Sequence, residues 1–128
     1  MTPDLKFLVW SAVLCLVQAV IAVLGAITVV GLPKLAGNRD DIPAIEGWPG
    51  RAQRALRNML ESLVLFAILV FAAHVTQRAN ATTALGAMIF FWGRVAYAGV
   101  YLAGIPWLRT GVWGVSVLGL LMILSQVI

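Results

Sequence analysis

The stretch from Gly50 to His74, GRAQRALRNMLESLVLFAILVFAAH, constrains this chain more than any other. Its first third is charged and polar, and it flows without an internal Pro or Gly into an apolar run. The two parts together are long enough to cross a bilayer as one helix. At about 100° per residue, Arg51, Arg54, Asn58 and Glu61 fall on a single stripe of that helix, with Arg57 at its edge. Glu61 sits about 15 Å further along the axis than Arg51, too deep for an easy escape to the headgroups. A carboxylate at that depth persists only if it is paired, faces protein or lines a cavity. A partner is therefore expected elsewhere in the chain.

The remaining length leaves room for little except further spans. Of the 128 residues, 62% are hydrophobic and 11% charged, which excludes the soluble globular class. Four helices of about 20 residues with short connections use up the whole length. The expectation is an all-α integral membrane protein, one membrane domain built as an up-and-down four-helix bundle. The net charge of +4 does not indicate nucleic acid, because the basic residues are not gathered on a soluble module with stacking aromatics. The one cysteine, Cys15, offers neither a disulfide nor a thiolate metal site and reads as a buried apolar residue.

The predicted spans are about 5–31, 50–75, 82–104 and 106–128. The first is too long for a signal-peptide core and reads as a retained helix. The connection 32–49 carries Pro33, Gly37, Asn38, Asp40, Asp41, Pro43, Gly47 and Pro49, so it is not helical throughout, and a loop this long in so small a chain is often functional. Thr82 or Thr83 is expected to cap the third span, and Pro106 suits the first position of the fourth. Lys34, Arg39, Arg51, Arg54, Arg57 and Arg109 lie on the side of the long loop, against Lys6 and Arg78 on the other. This excess predicts a cytoplasmic loop with both termini opposite. Trp10, Trp48 and Trp107 fall near predicted span ends, where an aromatic belt is expected.

The third span reads FFWGRVAYAGVYLAG, in which Arg94, Tyr97 and Tyr101 share a face. Counting inward from the loop side sets Glu61 level with Arg94, Asn58 with Tyr97, and Arg54 with Tyr101. A buried Glu61–Arg94 ion pair is therefore expected. Arg51, Arg54, Arg57 and Arg94 against Glu61 leave a surplus of positive charge, which calls for an anion. The guanidinium fork suits carboxylates, and the two tyrosines add hydroxyl donors and flat apolar faces. An anionic, peptide-like or amphiphilic ligand entering from the loop side fits this wall, which is expected to enclose a water-accessible, cation-rich pocket between the second and third spans. The residues also have plainer readings. Arg51 and Arg57 serve as headgroup anchors, Glu61 and Arg94 as a structural clasp, Tyr97 and Tyr101 as packing, Arg109 as a snorkelling side chain, and Gly99 with Ala103 as a site of close helix contact. His74, at the far end of its helix, reads as an interfacial side chain.

The run Arg51, Arg54, Ala55, Asn58, Glu61, followed by Arg94, Tyr97 and Tyr101 on a small four-span chain, resembles the family of membrane-associated proteins in eicosanoid and glutathione metabolism. The resemblance covers essentially the whole chain and places it near the microsomal glutathione transferases. It implies a homotrimer with sites at subunit interfaces and glutathione as cosubstrate. By that resemblance Arg54, Asn58 and Glu61 are glutathione ligands, while Arg51, Arg94, Tyr97 and Tyr101 line the same site. Arg109 resembles the arginine that stabilises the glutathione thiolate. Three positions depart from the leukotriene-producing subgroup or the wider family. Ser62 stands where that subgroup has a tyrosine, Arg109 lies one residue further from Tyr101, and Lys34 stands where a basic residue often ends the first helix.

The chemistry such a site must perform is thiol activation. A thiol of pKa about 8.5 is mostly protonated at neutral pH, and lowering that value by two units takes about 2.7 kcal/mol of preferential thiolate stabilisation. One arginine in a poorly hydrated site can supply it. The function expected is a glutathione transferase or peroxidase acting on hydrophobic or lipid-like electrophiles that arrive through the membrane, with a bacterial inner membrane as the setting. The alternatives are a non-catalytic scaffold of the same fold holding a lipid or fatty acid, and a small multidrug transporter. The arginines around Glu61 stand against the transporter, since they would repel cationic substrates.

Overall fold

The computed structural model describes residues 1–37 and 44–128. Asn38, Arg39, Asp40, Asp41 and Pro43, which enter the loop and orientation expectations above, lie outside the described residues. Five helices follow in order: α1 (Pro3–Val30), α2 (Leu32–Ala36), α3 (Gly47–Val75), α4 (Ala81–Ala103) and α5 (Pro106–Val127). Four of them, α1, α3, α4 and α5, are long and apolar enough to cross a membrane, and they form an all-helical bundle. The short α2 and an earlier start of α3 at Gly47 make the long connection more helical than its prolines and glycines suggest. Pro33 and Pro49 fall in first turns, where a proline's missing N–H has no intrahelical partner to lose.

Local chemistry sets the helix boundaries. Asn80, and neither threonine, caps α4: its side chain accepts from the backbone N–H groups of Thr82 and Thr83, while Thr83 Oγ1 accepts from the Asn80 N–H at 2.8 Å. This reciprocal arrangement satisfies more of the unpaired first-turn donors than one threonine could. α4 ends at Gly104 with φ of 78°, a left-handed stop that glycine adopts without strain. α5 then starts on Pro106.

Packing depends on backbone proximity more than on bulk. α4 and α5 meet along Gly86, Gly93, Ser116 and Gly119. A Cβ on Gly86 would lie 2.7 Å from the Gly119 carbonyl oxygen, and one on Gly93 would lie 3.1 Å from the Ser116 nitrogen. Small residues at such contacts let two spans approach closely when lipid supplies no hydrophobic drive between them. Gly99, the glycine expected in that role, has nothing within 4 Å. Its face of the helix points away from the other described residues, and the contact belongs to the face of Gly93, about 120° round the helix. The apolar core consists of Phe66, Val70, Ala87, Phe90, Leu120 and Ile123, with the Phe66 and Phe90 ring centres 4.1 Å apart.

The bundle is tied at the end remote from the long connection. Asp4, almost fully buried, accepts from Thr2 at 2.6 Å, pairs with His74 Nε2 at 2.9 Å and lies 3.4 Å from Thr83 Oγ1. His74, expected as a simple interfacial side chain, thus joins α3 to α1. Among the described residues this is the one contact that becomes an ion pair when the imidazole is protonated.

Candidate functional site

At the opposite end, α3 and α4 turn their polar faces towards each other. Starting from the rim, Arg51 Nε donates to the Leu102 carbonyl at 3.1 Å and its guanidinium packs on Gly104. The carbonyls of a helix's last turn lack intrahelical partners and carry the negative end of its dipole, so a guanidinium there closes the C-terminus of α4. One turn deeper, Arg54 Nε donates to the Tyr101 hydroxyl oxygen at 3.2 Å, the level the counting predicts. Arg109, from the first turn of α5, places its guanidinium 4.6 Å from the centre of the Tyr101 ring. Tyr101 therefore sits between two cations. Its oxygen accepts from Arg54, which leaves its own proton free to donate to a ligand.

A further turn in, the arrangement departs from expectation. Arg94 Nη1 donates to Asn58 Oδ1 at 2.8 Å, and Glu61 is exposed with no partner among the described residues. The expected Glu61–Arg94 pair is not formed. The counting set Arg94 level with Glu61, but its guanidinium reaches Asn58, about one turn nearer the rim, and Glu61, about 60° round the helix from Asn58, is left out of the α3–α4 seam. Tyr97, expected level with Asn58, instead lies beneath the Arg94 guanidinium, whose carbon is 4.2 Å from the ring centre. The Tyr97 and Tyr101 rings follow at 5.5 Å, so Arg94, Tyr97, Tyr101 and Arg109 make a continuous cation–aromatic stack.

Arg94 is 1% exposed, yet its Nε and Nη2 have no hydrogen-bond partner. Its charge meets one neutral amide and one ring face, and no described carboxylate. Arg54, Arg57 and Glu61 are exposed on the outer surface of α3, and Asn58, Tyr101 and Arg109 are partly exposed. The site is thus a ridge on the flank of the bundle, with a buried guanidinium behind it. Ser62 cannot stand in for a tyrosine ligand, since its hydroxyl donates to the carbonyls of Asn58 at 3.0 Å and Met59 at 3.1 Å on its own helix. Lys34 is exposed on α2.

One polar residue near this level escaped the sequence reading. Gln18 is buried on α1, and its Oε1 has no partner. α1 and α4 run in the same direction and touch at Asp4 and Thr83, so Gln18 comes level with Tyr97. The signal was available: Asp4, Ser11, Cys15 and Gln18 recur at one-face spacing along an otherwise apolar helix, and all four are buried. With only one such residue in each turn or two, the stripe is too sparse to stand out from the apolar helix around it.

The wall so built can hold an anion through guanidinium forks, present a phenolic proton, and offer a carboxylate, Glu61, to a ligand's cationic group. No curated protein and no solved structure matches the chain. The model of the MAPEG family matches residues 7–128, which is essentially the whole sequence. With four apolar helices around this ridge, the chain belongs to the MAPEG family, as an integral membrane protein of the group concerned with glutathione and eicosanoid metabolism.

Proposed function

We propose that the protein binds glutathione on the α3–α4 ridge and uses it as a glutathione transferase or peroxidase towards hydrophobic electrophiles dissolved in the bilayer. The observation that carries this reading is the facing pair of contacts Arg54–Tyr101 and Arg94–Asn58, with Glu61 left free beside them. Glutathione carries two carboxylates and an ammonium group, and the ridge offers cations and a carboxylate within a few turns. Arg54, Asn58 and Glu61 are the ligands in this reading. Arg51, Arg94, Tyr97 and Tyr101 line or support the same site.

Arg109 is the residue assigned to thiolate stabilisation. Its guanidinium lies 4.6 Å from the centre of the Tyr101 ring, and both side chains are partly exposed. The Tyr101 proton adds a second donor. With the sulfur charged, an electrophile entering from the lipid side takes a bond from sulfur to its carbon as a leaving group departs with the bonding pair, or as a polarised double bond takes up the displaced pair and a proton. For a hydroperoxide, sulfur bonds to the terminal oxygen, the O–O bond breaks and the alkoxide takes a proton; a second glutathione then attacks the sulfenic sulfur, giving the disulfide and water. Glu61 supports an oligomer, which by the family resemblance is a homotrimer: a carboxylate exposed on the flank of a spanning helix is costly against lipid, and a neighbouring protomer would cover it. In this reading the long connection faces the cytoplasm, both termini lie opposite, and the setting is a bacterial inner membrane.

Isothermal titration of the detergent-solubilised protein with glutathione tests the binding. Heat of binding, abolished by competing glutathione sulfonate, is expected; absence of both overturns the reading. Stopped-flow detection of thiolate absorbance then tests activation. The thiolate signal is expected in the wild type and lost in Arg109→Ala with binding retained. A scaffold would bind the peptide without the signal.

A further inference from the structure

We propose that the groove between α1 and α4, at the end of the bundle remote from the arginine ridge, binds an anionic phospholipid, its phosphate on Lys6 and one acyl chain along Phe7, Trp10, Phe91 and Trp92. These five residues line a cavity of about 460 Å³, within the range of about 300–1,000 Å³ that holds small-molecule ligands. Phe7 and Phe91 face each other across it with ring centres 5.7 Å apart, and Phe91 meets Trp92 edge-on at 5.0 Å.

The placement of the rings distinguishes this groove from an ordinary aromatic belt. Trp92 lies eleven residues into α4, about 16 Å from its start, which is the middle of a hydrocarbon core about 30 Å thick. Belt tryptophans sit at the headgroup level, so the belt accounts for Trp10 near its span end but not for Trp92. Trp92 is 59% exposed at that depth. Lys6 lies in the first turns of α1, near the membrane surface. The groove therefore runs from a cation at the surface to an indole at the midplane, the depth one acyl chain of a single leaflet occupies.

The charge at the mouth selects the headgroup. The Lys6 ammonium has no hydrogen-bond or ion-pair partner among the described residues. Asp4, the carboxylate closest to it in sequence, is taken up by Thr2, His74 and Thr83. A free ammonium beside a membrane surface favours a phosphate diester with a net negative charge over a zwitterionic one, by about fivefold for one lysine. The inference uses none of the ridge residues and goes beyond the glutathione reading, so the two succeed or fail separately.

The test uses a variant in which Trp48, Trp107 and Trp113 are replaced by Phe, leaving Trp10 and Trp92 as reporters. It is reconstituted in phosphatidylcholine vesicles carrying a minor fraction of dibrominated phosphatidylglycerol or dibrominated phosphatidylcholine. Tryptophan quenching is expected at about fivefold lower mole fraction of the brominated phosphatidylglycerol, and Lys6→Gln should bring the two lipids together. Equal quenching by both lipids in the Lys6 protein overturns the proposal, as does a preference that survives Lys6→Gln. Absence of quenching by either lipid overturns it as well, and would indicate that a second copy covers the groove. Should the tryptophan variant fail to fold, native mass spectrometry of the wild-type protein provides the same decision. Retained phosphatidylglycerol in excess of phosphatidylcholine, lost in Lys6→Gln, supports the site, and equal retention overturns it.

Discussion

Asn58 and Arg94 depend on each other unequally, because one is a neutral amide that can find water and the other is a charge with two further donors already unmatched. Asn58→Leu strips the guanidinium of its one hydrogen-bond partner and is expected to cost about 1.5–3 kcal/mol, read from denaturant unfolding in detergent. In the double variant Asn58→Leu with Arg94→Met, both partners become apolar and much of that loss should return. A double-mutant cycle with no coupling would show that the contact contributes nothing. Ser62→Ala is expected to leave stability and glutathione affinity nearly unchanged, within about 0.5 kcal/mol, since its hydroxyl only bonds back to its own helix. At this scale the sequence was legible in depth and poorly legible in azimuth. Counting along two antiparallel helices matched Arg54 with Tyr101. It also set Arg94 level with Glu61, whereas a rotation of about 60° and a reach of one turn give the contact to Asn58.

Among the helices, the α4–α5 seam is the most sensitive to added volume. Gly86→Val would push a side chain into the Gly119 backbone, and a loss of about 1–3 kcal/mol is expected from thermal unfolding in detergent. Gly99→Val, with open space around it, should cost far less sterically. Asn80→Ala removes both side-chain acceptances at the start of α4 and is expected to cost about 0.5–2 kcal/mol. The four spans themselves were plain from hydropathy, because a run of about 20 apolar residues has few ways to fold other than a spanning helix. Which glycine faces a neighbour was not plain. Gly86, Gly93 and Gly99 are equally small in the sequence, and the choice among them depends on how α4 is rotated against α5, which no local pattern encodes.

For the molecule as a whole, the ridge is open on the flank, with Arg54, Arg57 and Glu61 exposed. Native mass measurement in mild detergent is expected to give three times the mass of the chain, and a species of one chain only would contradict interface sites. The sequence indicates a cation-rich wall enclosing a pocket, whereas in the structure that wall is an open ridge, because facing depends on packing among four helices. The clasp of Asp4, His74 and Thr83 was missed for the same reason, its members being 70 and 79 residues from Asp4.

The orphaned guanidinium behind the ridge has an effect at a distance. A fixed positive charge about 10 Å from an approaching anion contributes about 1.7 kcal/mol at an effective dielectric constant of about 20, or more than tenfold in occupancy. Mobile ions damp the pull of arginines on the outer flank but reach the interior poorly, so this share of the attraction should persist in concentrated salt.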